Sequence, residues 1–223
     1  MDPLDHPVWF ALGGPHAALA EVHGPLRSYP EDIAPFSAFL ERDQALDDAL
    51  TSLRRPVVLF RPEVEPAPPG WTLRHSGEVV QMTLPDARHL EPPSVGITRL
   101  GEVDAPEVRG LVALTRPGPF GARTMSLGTY VGVREAGRLV ALAGERFRLR
   151  DHVEVSAVCT HPEARGRGLA GALVSHLARR ALDEGLTPFL HVAAQNDSAR
   201  RVYERLGLVE RTRLGLSVWV RDT

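Results

Sequence analysis

The residues of this chain best placed to do chemistry lie between His152 and Gly171. Arg165-Gly166-Arg167-Gly168 follows a strand-like run and opens a segment of helical spacing, an order of elements that binds anions. Glycines let the backbone approach a ligand closely, and the unpaired N–H groups of a helix's first turn, backed by its dipole, point at negative charge. Arg165 and Arg167 add positive charge. By itself this pattern fits a surface loop rich in glycine and arginine as well as it fits a diphosphate cradle. Just upstream, His152, Glu154 and Ser156 alternate with Val153, Val155 and Ala157. One face of that strand is therefore polar, and strict alternation extends the face to Val158 and Thr160 while turning Cys159 away from it. A central strand covered on both sides should be apolar throughout, so the polar face marks an open cleft or the molecular surface. Cys159, with His161 near it in sequence, has the composition of a covalent nucleophile. Its parity and the habit of lone buried cysteines to act as small hydrophobes argue against that role.

The elements that must carry these residues follow from periodicity. Leu169, Ala172, Leu173, Leu177 and Ala181 recur at helical spacing, with Gly185 placed to end the helix. Pro188 to Ala193 reads as a second strand, and Gln195-Asn196-Asp197-Ser198 as a capping cluster for a helix from Ala199 to Leu206, closed by Gly207. A last strand runs around Leu214 to Val220. Two strands joined by a crossover helix should be parallel, with the ligand at their carboxyl ends. In the amino-terminal third, Ala34 to Leu40 and Gln44 to Leu53 have helical spacing, whereas Pro56 to Phe60 and Glu78 to Leu84 read as strands. Pro62, Pro66, Pro68, Pro69 and Gly70 form a stiff connection between these strands. Trp9, Phe36 and Trp71 are expected to fill core.

Composition is that of a compact soluble protein: 223 residues, 43% hydrophobic and 24% charged, with room for a sizeable core. A net charge of -2 argues against nucleic acid as the main partner, although every basic residue other than histidine is arginine. No apolar run approaches membrane-spanning length and no charged-then-apolar leader opens the chain, so the expectation is a cytoplasmic protein without a membrane partner. One cysteine excludes an internal disulfide, and nine histidines without a close-spaced pair suggest no metal site.

Arg165-Gly166-Arg167-Gly168-Leu169-Ala170 resembles the Arg/Gln-x-x-Gly-x-Gly/Ala signature of the GNAT acyltransferase superfamily. Asn196, Ala199, Tyr203, Glu204, Arg205 and Gly207 stand where that family's Asn…Ala…Tyr-Glu-x-x-Gly pattern places them, and Glu154 to Thr160 resembles its fourth strand. Leu208 departs from the Phe that many relatives carry after the glycine. Thr115 to Thr124 and Leu127-Gly128-Thr129-Tyr130 further resemble the glycine N-acyltransferase-like branch. The resemblance spans about residues 94 to 222.

The resemblance implies an α/β protein of the GNAT fold, a mixed, centrally splayed sheet flanked by helices, occupying residues 93–223. Residues 1–92 then form a smaller N-terminal α/β subdomain, a degenerate GNAT-like half that walls one side of the acceptor pocket. It implies N-acyl transfer, without metal, from acetyl-CoA or another acyl-CoA to a small primary amine, an amino acid or similar metabolite, by direct transfer in a ternary complex. Acyl-CoA would lie along Val158, Cys159 and Thr160, around Arg165, Gly166, Arg167, Gly168, Leu169, Ala170 and Gly171, and against Asn196, Ser198 and Tyr203. Backbone N–H groups near Val158 and Thr160 would polarise the thioester carbonyl. Glu154 would act as base, its pKa raised by partial burial, with His152 as the second candidate and Tyr203 as the acid for the departing thiolate. Arg123, Tyr130, Glu154 and His191 would shape the acceptor site, Arg123 by clamping a carboxylate; inside its apolar strand His191 equally fits a satisfied core histidine. A protein or peptide acetyltransferase and a non-catalytic acyl-CoA sensor are the alternatives, and a homodimer is left open.

Overall fold

The computed structural model describes residues 1–92 and 94–222. The amino-terminal third supplies α1 (Pro7–Leu12), a small antiparallel sheet of β1 (Glu21–His23), β2 (Leu26–Ser28) and β3 (Ser37–Ala38), then α2 (Gln44–Ser52), β4 (Val57–Arg61) and β5 (Trp71–Thr83). Beyond it come β6 (Thr98–Leu100), α3 (Ala105–Thr115), β7 (Tyr130–Glu135), β8 (Arg138–Arg148), β9 (His152–Thr160), α4 (Leu169–Asp183), β10 (Thr187–Ala193), α5 (Asp197–Arg205) and β11 (Val209–Arg221). Eight strands form one mixed sheet in the order β4-β11-β5-β10-β9-β8-β7-β6. Within it β9 and β10 pair in parallel through the α4 crossover, as a strand–helix–strand unit requires. All other pairings in this sheet are antiparallel.

β4 and β5 hydrogen-bond into the same sheet as β10 and β11, so the chain before and after residue 92 shares one sheet. One cluster joins Leu4, Val8, Tyr29 and Phe36 to Phe147, Phe189 and Leu214. The amino-terminal segment thus covers one face of the sheet, while α4 covers the other with Leu169, Leu173 and Leu177 against Val131, Val155 and Leu190.

The helix expected over residues 34–40 is absent; the segment is extended and includes β3. Pro35 lacks the N–H that a helix interior needs. Phe36 and Ala38 enter one cluster and Phe39 another, the two-residue alternation of a strand. Phe36 and Trp71 are buried as expected, whereas Trp9 is half-buried, with Arg27 stacked 3.7 Å above its ring.

Candidate active site

The pairing of β9 with β10 stops at Glu154 and Phe189. Past that point the strands part, and a cleft of about 1030 Å3 opens between them, running to the turn before α4 and to the inner side of α5. Gly166 and Gly168 both adopt left-handed backbone, φ +76° and +77°, which a side chain at Cβ would strain. Gly168 is the residue before α4's first turn; no side chain caps that helix, and its first internal bond is the Ala172 N–H to the Gly168 carbonyl. The N–H groups of Leu169, Ala170 and Gly171 are thus left facing the cleft with the positive end of a 15-residue helix behind them. The opposite wall is α5, started by Asn196, whose Oδ1 accepts from the Ala199 N–H at 3.2 Å and from the Ser198 hydroxyl at 3.0 Å.

A bulge in β9 sets which side chains face where. Ser156 lies opposite Gly144 and Cys159 opposite Leu142, so Ala157 and Val158 together oppose one residue of β8, and Ala157 takes φ +54°. The extra residue reverses the alternation. Val158 therefore packs with Val155 toward α4, and Cys159 lies on the Ser156 side, buried in the cluster that Val108 and Leu111 of α3 help to form. This corrects the expected parity of both residues. Cys159 is still no nucleophile in waiting: burial pushes its thiol pKa up, and His161 turns instead to the Glu163 N–H.

The floor of the cleft, where the strands separate, is built from buried charge. Glu154 is fully enclosed, and Arg146 grips its carboxylate with two parallel bonds of 2.7 and 2.5 Å. His191 Nδ1 lies 2.7 Å from the same carboxylate. Burial alone would raise the Glu154 carboxyl, but Arg146 and His191 beside it hold it down at about 2. That is opposite to the direction expected from the sequence, because the two partners come from neighbouring strands. A carboxylate offers only lone pairs, so His191 Nδ1 carries the hydrogen and Nε2 accepts from the Gln81 amide at 3.1 Å. Gln81, also enclosed, donates to the Leu4 carbonyl at 2.7 Å and accepts from Arg211 at 2.9 Å, and Arg211 reaches Asp2 and Asp5 at 2.6 and 2.8 Å. One chain of polar contacts thus runs from the amino-terminal segment to the cleft.

Of the residues expected at the site, Val158, Cys159, Thr160, the run from Arg165 to Gly171, Asn196, Ser198, Tyr203 and His191 line the cleft. Tyr203 is 8% exposed and burial raises its pKa to about 12, so it keeps its proton at neutral pH. His152 does not line it; the ring lies near the start of β9, ~13 Å of strand from Ser156. Tyr130 is buried beside Phe120 in the α3 cluster and is not a lining residue. Arg123 is exposed and lies outside the cleft lining, with its Nε and Nη2 on Asp32 at 2.5 and 3.0 Å, so its guanidinium is not directed at the cleft. Arg146, Gln81 and Arg211 were not legible from the sequence. A charged Glu145-Arg146 pair after the apolar run of β8 and a glutamine inside β5 were the available signals.

The chain is similar to known proteins. A family model described as FR47-like protein matches residues 130–220. A GNAT-family acetyltransferase structure from Novosphingobium aromaticivorans shares 38% identity over 100% of both chains, with a TM-score of 0.92. A GCN5-related N-acetyltransferase from Kribbella flavida (21% identity, 89% of this chain and 88% of that one, TM-score 0.59) and a Drosophila protein (18%, 89% and 74%, TM-score 0.66) share the fold. No curated protein matches. The chain belongs to the GNAT acetyltransferase family, whose members transfer an acyl group using acetyl-CoA as co-substrate. Among the described residues no helix is long and apolar enough to cross a membrane.

Proposed function

We propose that this protein is an acyl-CoA-dependent N-acyltransferase that moves an acetyl or short acyl group to the primary amine of a small, amino-acid-like acceptor by direct transfer in a ternary complex. The observation that carries the reading is the fork between β9 and β10, with the uncapped start of α4 at one end and Tyr203 on α5 facing it. The acyl-CoA diphosphate rests on the free N–H groups at residues 166–171, where backbone donors and helix dipole act together. The pantetheine follows the unpaired edge of β9 past the bulge at Ala157, whose left-handed backbone is a local strain of the kind that concentrates at functional sites. Backbone N–H groups of that edge polarise the thioester carbonyl. Tyr203, protonated at neutral pH, donates to the departing thiolate.

Glu154 is a positioning residue here and not the base. A carboxylate held at about 2 and gripped by two partners is a poor proton acceptor near neutrality. The acceptor's proton leaves through cleft water. Five arginines line the cleft; Arg146 and Arg167 are paired with Glu154 and Glu135, and the remaining three (Arg116, Arg165 and Arg205) still outnumber the one lining carboxylate, Glu91, which disfavours a basic peptide as acceptor. The resemblance of Thr115 to Thr124 to the glycine N-acyltransferase-like branch supports the same acceptor class. The test is thiol release from acetyl-CoA with amino acids, polyamines and basic peptides as acceptors. Transfer to amino acids is the expected result; release only with basic peptides, or acetyl-CoA binding with no release for any acceptor, overturns it.

A further inference from the structure

Arg146 has one nitrogen left over. Its Nε and Nη2 are taken by Glu154, while Nη1 has no protein partner among the described residues and is not among the sealed-in polar atoms. The side chain is 11% exposed, and its exposed part belongs to the cleft lining, beside Ser156 and His191 at the point where β9 and β10 part. The group cannot swing. Its guanidinium lies over the rings of Phe36 and Phe147 at 4.8 and 4.5 Å, and Glu154 is itself held by His191, whose far nitrogen meets Gln81. A rigid donor with two N–H groups and no acceptor faces the floor of the site, so whatever occupies that spot must bring lone pairs and no protons.

Resting on the acyltransferase reading, we infer that Arg146 is the specificity-determining residue for the acceptor and binds a carboxylate of the amine substrate through Nη1. The Arg146–Glu154 pair is neutral as a unit, so recognition there works through directed, charge-assisted hydrogen bonds, and the excess of arginine along the cleft supplies the field that favours an acid over its amide. Gln81 and His191 are positioning residues, because they fix the carboxylate that fixes the guanidinium.

Two variants test this. Removing Arg146 alone would strand a buried charge, so Arg146→Met is combined with Glu154→Gln, and Arg146→Lys keeps the charge but cannot both hold Glu154 and offer a third nitrogen. Matched acceptor pairs, glycine with glycinamide and alanine with alaninamide, are compared by thiol release. The wild type should favour the acid by about tenfold or more in kcat/KM, and both variants should bring the ratio near one with acetyl-CoA affinity unchanged in calorimetry. Preference for the amide, or a ratio that survives in both variants, overturns the inference. Binding of N-acetylglycine and N-acetylglycinamide to the CoA-loaded protein gives a readout without turnover. Selective binding of the acid, lost in Arg146→Lys, supports the carboxylate site even if no acceptor reacts, in which case it is the acyltransferase reading that falls; binding of neither, or of both equally, overturns the site.

Discussion

The proposed diphosphate end of the cleft is made of consecutive residues, Arg165 to Gly171, whereas its floor draws on Arg146, Glu154 and His191 from three strands, with Gln81 and Arg211 from two more. At the first end the donors are backbone N–H groups and the field is that of one helix, so the site forms wherever α4 forms. At the floor the groups are enclosed or part-buried side chains, each held in place by the others across strands. Glu154 alone in that position would be driven toward neutrality; with Arg146 and His191 it is an anion that orients a cation. The cradle therefore tolerates changes elsewhere in the fold, while the floor is only as good as the packing of the amino-terminal segment that closes over it.

The sharpest break of this contrast is Gly168→Asp. It places a negative charge, on strained left-handed backbone, at the proposed diphosphate position, and it should weaken acetyl-CoA binding by about 100-fold or more, some 2.7 kcal/mol or above, in calorimetry. Nothing lies within 4 Å of the added Cβ, so the melting transition should remain cooperative. Loss of folding together with binding would show that the turn is structural.

The floor responds to acid. The folded Glu154 carboxyl is held at about 2 against an ordinary value of 4.5, so its contribution, on the order of 3 kcal/mol, is present above pH 4.5 and is lost as pH falls from there toward 2. Urea unfolding across that window should show stability falling with acid in the wild type and a flatter slope in Arg146→Met with Glu154→Gln. Equal slopes would mean that the carboxylate is not held as described.

Tyr203→Phe sharpens the comparison on the wall facing the cradle. It should lower kcat by about 100-fold while acetyl-CoA affinity changes little, the split that separates an acid from a packing tyrosine. A loss seen only in thermal stability would reassign it to the core. The smallest effect is expected from Arg123→Ala, since its fork already engages Asp32 on the surface: acceptor KM and acetyl-CoA affinity should both match the wild type. A raised acceptor KM would return Arg123 to the site. Mass spectrometry after acetyl-CoA exposure should find Cys159 unmodified, and the lysine-free sequence makes any adduct on it easy to see.

What the sequence by itself determined is local: the glycine-bearing turn, the helix it starts, the Asn196 cap of the next helix and the tyrosine about two turns further on. Backbone donors, helix dipole and periodicity depend on neighbours a few residues away, and those neighbours can be read in order. The tertiary structure decided the rest. A single extra residue at Ala157 reversed the faces of Val158 and Cys159, because alternation holds only as long as the register does. Asp32 claimed Arg123, and β4 and β5 paired into the main sheet with β11. Glu154 became a clamp on Arg146 because a buried charge takes its pKa from whichever groups the fold brings against it, and here those groups lie 8 and 37 positions away in the chain.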